Sequence, residues 1–395
     1  MFAVRTVFSQ SLDVTEIETK LADHEYGVAQ LTIAVGQTRQ IARLQSLTEP
    51  NKLSQHWFAS SACLGVMTEQ QLALSGDSIG FMQIFDPAGF YGVAAAEVSM
   101  VDTVGSVANL IQQAMAAAGQ SLQRPSMIWC MQAPGQEERI LSAIQAVVGP
   151  HVPIYGGSSA DDMVQGGWWQ YDGQQLWQNG VLIAVLYPSV AIEAYFSSGY
   201  TLGSQHATVT ACQGREILEL DAEPAALVYQ RWTGMAVQPL SEKQTILAKA
   251  SLQPLGRVVR QIEGIPLTLL SHPAYLTSSG ALGLFSEVEV GERVWLMQGA
   301  PNLIRDRAAQ VVAVCQQRIA DKGLQVSGAF IVFCAGCMLA IQAEMPEVQR
   351  QLQQMFPEVP FLMFFSFGEQ GCFVDGDNRH GNLMISATLF GNDDA

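Results

Sequence analysis

The sequence predicts a mixed α/β fold: two α/β regions with mixed sheets flanked by helices, each holding a strand–helix–strand unit. Two observations predict it. Short apolar runs rich in β-branched and aromatic residues alternate with stretches of helical period, and Gly, Pro and Asp punctuate the changes. A weak internal echo also links residues 126–162 to residues 328–371. In both, a strand with Cys near its end leads through a loop to a helix, a Pro, a second strand and a Gly turn bearing an acid.

The elements follow in order. Asp13 is placed to cap a helix over 14–23, with Glu16 three residues on. The run AQLTIAVG (29–36) reads as a strand, and 103–118 as a helix stopped by Gly119. SMIWCMQA (126–133) is a buried strand, 137–149 a helix ending in Gly, and HVPIYGGSSADD (151–162) a strand entering a Gly/Ser turn. Residues 168–180 form a hairpin around Asp172-Gly173, and two further strands follow. A second unit starts near Asp221, which is expected to open a helix closed by Gly234. The stretch 238–265 is less patterned. Strands run through 281–299, a helix spans 302–322, and GAFIVFC (328–334) is a strand. A helix at 344–356, the run VPFLMFFSFGEQG (359–371) and a last strand, NLMISATLFG (382–391), complete the pattern.

Composition bounds the function. The 395 residues suffice for two or three domains. With 20 Lys+Arg against 36 Asp+Glu the net charge is −16, which argues against nucleic acid or an anionic membrane as the main partner. Only 14% of residues are charged and 49% are hydrophobic, so the chain folds and leaves surface for a partner or a second subunit to cover. Seven cysteines, odd in number and irregularly spaced, fit reduced thiols in a cytoplasmic protein. No basic region followed by an apolar run opens the chain, and the uncharged stretch 327–343 is short for a bilayer, so neither a signal peptide nor membrane insertion is expected.

Several groups could carry chemistry. The turn Gly156-Gly157-Ser158-Ser159, followed by Asp161 and Asp162, offers close backbone approach and donors suited to a small ligand's carboxylate or amide. Its plainer role is a strand-end turn capped by Ser and Asp. Gly368-Glu369 ends the matching strand of the second unit, where Glu369 could meet an ammonium group or orient a His. Cys334-Ala335-Gly336-Cys337, with Cys372 and His380, permits a zinc set or, as a CxxC pair, redox chemistry. Cys334 or Cys337 with His380 and Glu369 would make a triad-like arrangement. Haem would need an axial ligand from the six His residues, His24, His56, His151, His206, His272 and His380. Trp168, Trp169, Tyr171 and Trp177 could flank a ligand pocket or a partner surface, but are read first as a hairpin face packed on the core.

Together these motifs resemble the FIST family (F-box and intracellular signal transduction). The carriers are Tyr155 to Asp162 with the aromatic hairpin; Gly199-Tyr200 to Gly203; Thr208-Val209-Thr210; and Glu223-Pro224-Ala225-Ala226. Phe333-Cys334-Ala335-Gly336, Phe365 to Glu369, and His380 with Asn382 complete the set. The resemblance covers about residues 28 to 391. It implies an N-terminal sensory region over 28–220, preceded by a strand and helix in 1–27, and a C-terminal one over 221–391. It further implies a stand-alone cytoplasmic sensor, not an enzyme, that binds an amino-acid-like molecule and signals to a histidine kinase or other output protein. One branch of the family is implicated in haem binding and nitric oxide sensing, and there His380 would be the iron ligand. The ligand-binding residues implied are Gly156, Gly157, Ser158, Ser159, Asp161, Cys334, Gly336, Cys337, Gly368, Glu369, His380 and Asn382. Two departures stand out: Cys337 occupies the family's Arg position, and Gly381 separates His380 from Asn382.

Overall fold

The computed structural model describes residues 1–22, 25–235 and 242–393. His24 and the first part of the 238–265 stretch lie outside them. The fold is mixed α/β, and the described residues build four sheets. Both echoed units are parallel crossovers. In the first, Met127–Gln132 pairs in parallel with Ile154–Ser158 through the helix Glu137–Val148. In the second, Gln325–Cys334 pairs in parallel with Phe361–Ser366 through the helices Ala335–Ala340 and Met345–Met355. Most of these strand residues are buried, which accounts for their nearly continuous apolar runs.

The units interlock. After Phe361–Ser366 the chain turns at Gly368 and lays Glu369–Cys372 antiparallel to Ile154–Ser158, opposing Glu369 to Gly157 and Gln370 to Gly156. Asn378–Gly381 then pairs with Glu369–Cys372 and sets His380 opposite Gln370. Strands are exchanged the other way as well. Val66–Thr68 joins the edge of Phe361–Ser366, and Ala191–Ser198 pairs with Met384–Asn392. The sheet edges are thereby covered by the other unit. An aromatic chain marks the seam. Trp129 lies 5.2 Å from Phe330, which stacks on Phe364 at 5.7 Å, and Phe58 and Phe390 flank Trp129.

A fourth, antiparallel sheet stands beside this body and contains the long strand Tyr200–Gln213, Glu216–Leu220, Leu255–Ile262 and Arg293–Gly299. Asp13 caps the helix Val14–Leu21 through Thr15 N, as its position suggests. Asp221 does not open the next helix, which spans Ala225–Thr233 behind Pro224. Asp221 stands at positive φ in the turn joining Glu216–Leu220 to Glu223–Pro224, where its carboxylate accepts the Thr208 N–H at 2.9 Å. A turn acid and a helix cap look alike in sequence, because both use a short carboxylate on a nearby amide. Gly234 ends that helix in the left-handed region. The uncharged stretch 327–343 divides into strand and helix, and no described helix is long and apolar enough to cross a membrane.

Candidate functional site

The two Gly turns meet. Ser158 N donates to Gly368 O at 2.7 Å, and Phe367 N donates to Ser158 O at 3.2 Å. Gly157 is required by this approach, since a Cβ there would stand 2.7 Å from Ser366 Cβ and 3.0 Å from Val332 Cγ1. The polar groups that follow are engaged internally. Ser158 Oγ donates to Glu137 Oε1 at 2.8 Å, and Ser159 Oγ lies 2.7 Å from Ser60 Oγ and accepts from Gln170 Nε2. Asp161 accepts from the backbone of Met163, Gln165 and Gly167, and Asp162 from Leu64 N and Gln37 Nε2. This is the arrangement of a strand-end turn capped by Ser and Asp. The aromatic hairpin packs similarly: Tyr171 meets Trp57 edge-on, and Trp168 meets Phe367.

Glu369 is fully buried. It accepts Ser366 Oγ at 2.7 Å and Met384 N at 3.0 Å, and its carboxyl also touches the Cys334 thiol. Burial pushes the carboxyl well above the ordinary range, helped by Cys334, and the two hydrogen bonds offset this only in part. Cys334 is likewise pushed well above the ordinary thiol range by burial and by its contact with Cys337. Cys337 is buried against Tyr200, with Oη 3.6 Å from Sγ. All seven cysteines are free thiols. The proposed zinc set is not assembled. Cys372 lines a separate cleft beside Tyr155 and Arg318, and His380 stands with two glutamates.

Cys334 and Gly336 do border a pocket of about 200 Å³, beside Ala335, Leu339, Leu247, Ser251, His272, Phe285 and Phe367. Val164, from the loop after the first Gly turn, completes one wall, and no charged side chain among the described residues lines the pocket. His272 is its distinctive polar group. Nε2 lies 3.1 Å from Leu247 O, so this nitrogen carries the proton, because a carbonyl only accepts. Nδ1 has no hydrogen-bond partner among the described residues and lies toward Gly336. Burial pushes the ring down to about 4, with the Leu247 carbonyl partly opposing it, so the imidazole is neutral at physiological pH. Asn382 Oδ1 accepts the His272 N–H at 3.1 Å, so Asn382 positions the pocket from behind. Among the sequence candidates, Cys334 and Gly336 thus reach the pocket wall, whereas Glu369 and Asn382 support it.

His380 occupies another place. It is buried, and neither ring nitrogen has a hydrogen-bond partner among the described residues. One of its nitrogens gathers with oxygens of Glu137 and Glu138, all within 4.8 Å of one another. These surroundings do not fit a haem. An axial histidine needs a broad apolar slot for the ring, but in the cleft beside His380 the apolar Leu141, Val259 and Leu269 share the wall with Glu138, Glu287, Glu289, Glu292, Arg257 and Arg379.

Comparison with known proteins gives two family matches. Residues 38–223 match the FIST N domain and residues 225–372 the FIST C domain. No curated protein matches the chain. Among solved structures, the chain is similar to the cyanuric acid hydrolase from A. caulinodans at 13% identity and a TM-score of 0.31, over 50% of this chain and 72% of that one. It is also similar to T. maritima PurL complexed with ATP at 10% identity and a TM-score of 0.20, over 99% and 71%. At these TM-scores neither likeness bears on this chain's function. The two domain matches, adjoining and in order across most of the sequence, place the chain in the FIST family of sensory, signal-transduction domains.

Proposed function

We propose that this protein holds a small uncharged molecule in the pocket beside Cys334 and His272, and passes that binding event to a separate output protein such as a histidine kinase. The observation that carries the reading is the lining among the described residues: apolar walls, one bare imidazole acceptor at Nδ1 and no charged side chain. A zwitterionic amino acid would leave both its charges unpaired there, at a high desolvation cost. A compact ligand with one donor group for Nδ1 suits the site better. The pocket draws Val164 from the FIST N match and its other lining residues from the FIST C match, so an occupant touches both. Behind it, Asn382 and Glu369 lead to the paired strands Glu369–Cys372 and Ile154–Ser158, a route for shifting one region against the other.

A binding role for Cys334 has more support than a thiol-enzyme role. A nucleophilic cysteine is held as thiolate by a lowered pKa, and the surroundings of Cys334 push the other way. Thermal-shift screening with neutral and zwitterionic metabolite panels tests the proposal. A neutral ligand at 100 times its Kd should stabilise the protein by about 2.7 kcal/mol. Ala248→Trp, which fills the pocket from its exposed rim, should abolish the effect. Stabilisation by charged ligands alone, or stabilisation that survives Ala248→Trp, would contradict the reading.

A further inference from the structure

A buried imidazole ordinarily has both nitrogens bonded. Among the described residues His380 has neither bonded, and it is only 2% exposed. Its cross-strand neighbour Gln370 is fully buried, and both its amide atoms lack a partner among the same residues. The nearest chemistry is the start of the helix Glu137–Val148, where Glu137 and Glu138 each bring an oxygen into the same 4.8 Å cluster. These carboxylates are pre-oriented. Ser158 Oγ donates to Glu137 Oε1, Gly135 N to Glu137 Oε2, and Glu287 N to Glu138 Oε1. Oε2 of each carboxylate also binds Arg215 Nη2, at 2.6 Å from both.

Arg215 comes from the turn between the strands Tyr200–Gln213 and Glu216–Leu220, and its side chain is 20% exposed. It can therefore leave toward solvent. A way in exists: the cleft of about 300 Å³ beside His380 is lined by Glu138, Glu287, Glu289 and Glu292, and its arginines, Arg257 and Arg379, are paired with Glu292 and Asp375. Such a lining concentrates cations.

We propose that Glu137, Glu138 and His380 form a site for a divalent transition-metal ion of the zinc type, and that Arg215 fills the same oxygens when no ion is bound. One imidazole and two carboxylates are a donor set for such ions, with further positions open to water. Binding exchanges Arg215 for the ion and frees the tip of the hairpin that lies just before the junction of the two domain matches. The site is separate from the pocket at His272 and stands or falls independently of it.

The test is calorimetric titration of the full chain, stripped with chelator, with zinc chloride, together with the visible spectrum on adding cobalt(II). One ion per chain is expected. His380→Gln and Glu138→Gln should each weaken binding by about tenfold or more, and Arg215→Ala should strengthen it by a similar factor. His380→Gln should also remove or shift the cobalt bands. Circular dichroism selects folded variants, and partly exposed Glu138 supplies the result if the His380 variant does not fold. No binding by the wild type, binding that survives both ligand substitutions, or no strengthening by Arg215→Ala would each overturn the proposal.

Discussion

Replacing Glu369 by Gln should make the protein more stable than the wild type at neutral pH, by an amount that grows as pH rises. Glu369 is fully buried, forms no ion pair among the described residues, and touches Ser366 Oγ, Met384 N and the Cys334 thiol. Burial holds it as the neutral acid. In the unfolded chain it ionises with a pKa of about 4.3. Above that value the unfolded state binds fewer protons than the folded state. The favourable contribution of Glu369 is therefore complete below pH ~4.3 and falls by about 1.4 kcal/mol per pH unit until the folded pKa is reached. Glutamine retains the shape and an acceptor for the Ser366 or Met384 donor, but does not titrate. Urea unfolding of both proteins between about pH 5.5 and 7.5 should show the variant gaining roughly that slope on the wild type. A difference independent of pH would mean that Glu369 is ionised in the fold, and the reasoning from burial would fail.

Three further predictions follow from the same geometry. Gly157→Ala should cost about 1–3 kcal/mol in urea unfolding, because its Cβ would meet Ser366 and Val332 at the seam; an unchanged midpoint would show that the seam is loosely packed. His272 has the opposite sign to Glu369. Its folded pKa lies at about 4 and its unfolded one near 6.5, so its contribution is present above pH ~6.5 and is lost as pH falls toward 4, by about 3 kcal/mol in all. Relative to His272→Gln, the wild type should weaken by that amount across this range, and parallel curves would refute the neutral imidazole. Finally, a thiol reagent should label the half-buried Cys212 and Cys372 in the folded protein and the other five cysteines only after unfolding, read by mass spectrometry. Rapid labelling of Cys334 would contradict its raised pKa.

Much of the fold is legible in the sequence where local signals agree. The runs at Met127–Gln132 and Phe361–Ser366 are apolar, bounded by turn residues and followed by Gly, so strand, crossover and turn are each marked locally. The family motifs are legible for the same reason. What escapes is register over long separations. Nothing near Glu369 indicates that it will oppose Gly157 more than 200 residues earlier, or that the Ser158 hydroxyl will meet Glu137 and the Asp162 carboxylate Leu64 N. His272 stands between Ser271 and Pro273 with no motif around it. It becomes a pocket residue because Asn382 takes its backbone N–H and Leu247 fixes its tautomer. Glu137 and Glu138 read as the ordinary acidic first turn of a helix. Their relation to His380 exists only through the strand pairing that carries Asn378–Gly381 beside them.

The proposed neutral ligand sits against His272 Nδ1. Calorimetric titration of the strongest stabiliser from the neutral panel, into wild-type protein, His272→Phe and Ala248→Trp, tests it most directly. One site per chain is expected in the wild type, weakened by about 1–3 kcal/mol when the ring loses its acceptor, and absent when tryptophan fills the pocket. Equal affinity in all three proteins would place the ligand elsewhere and rule out the His272 pocket as its site.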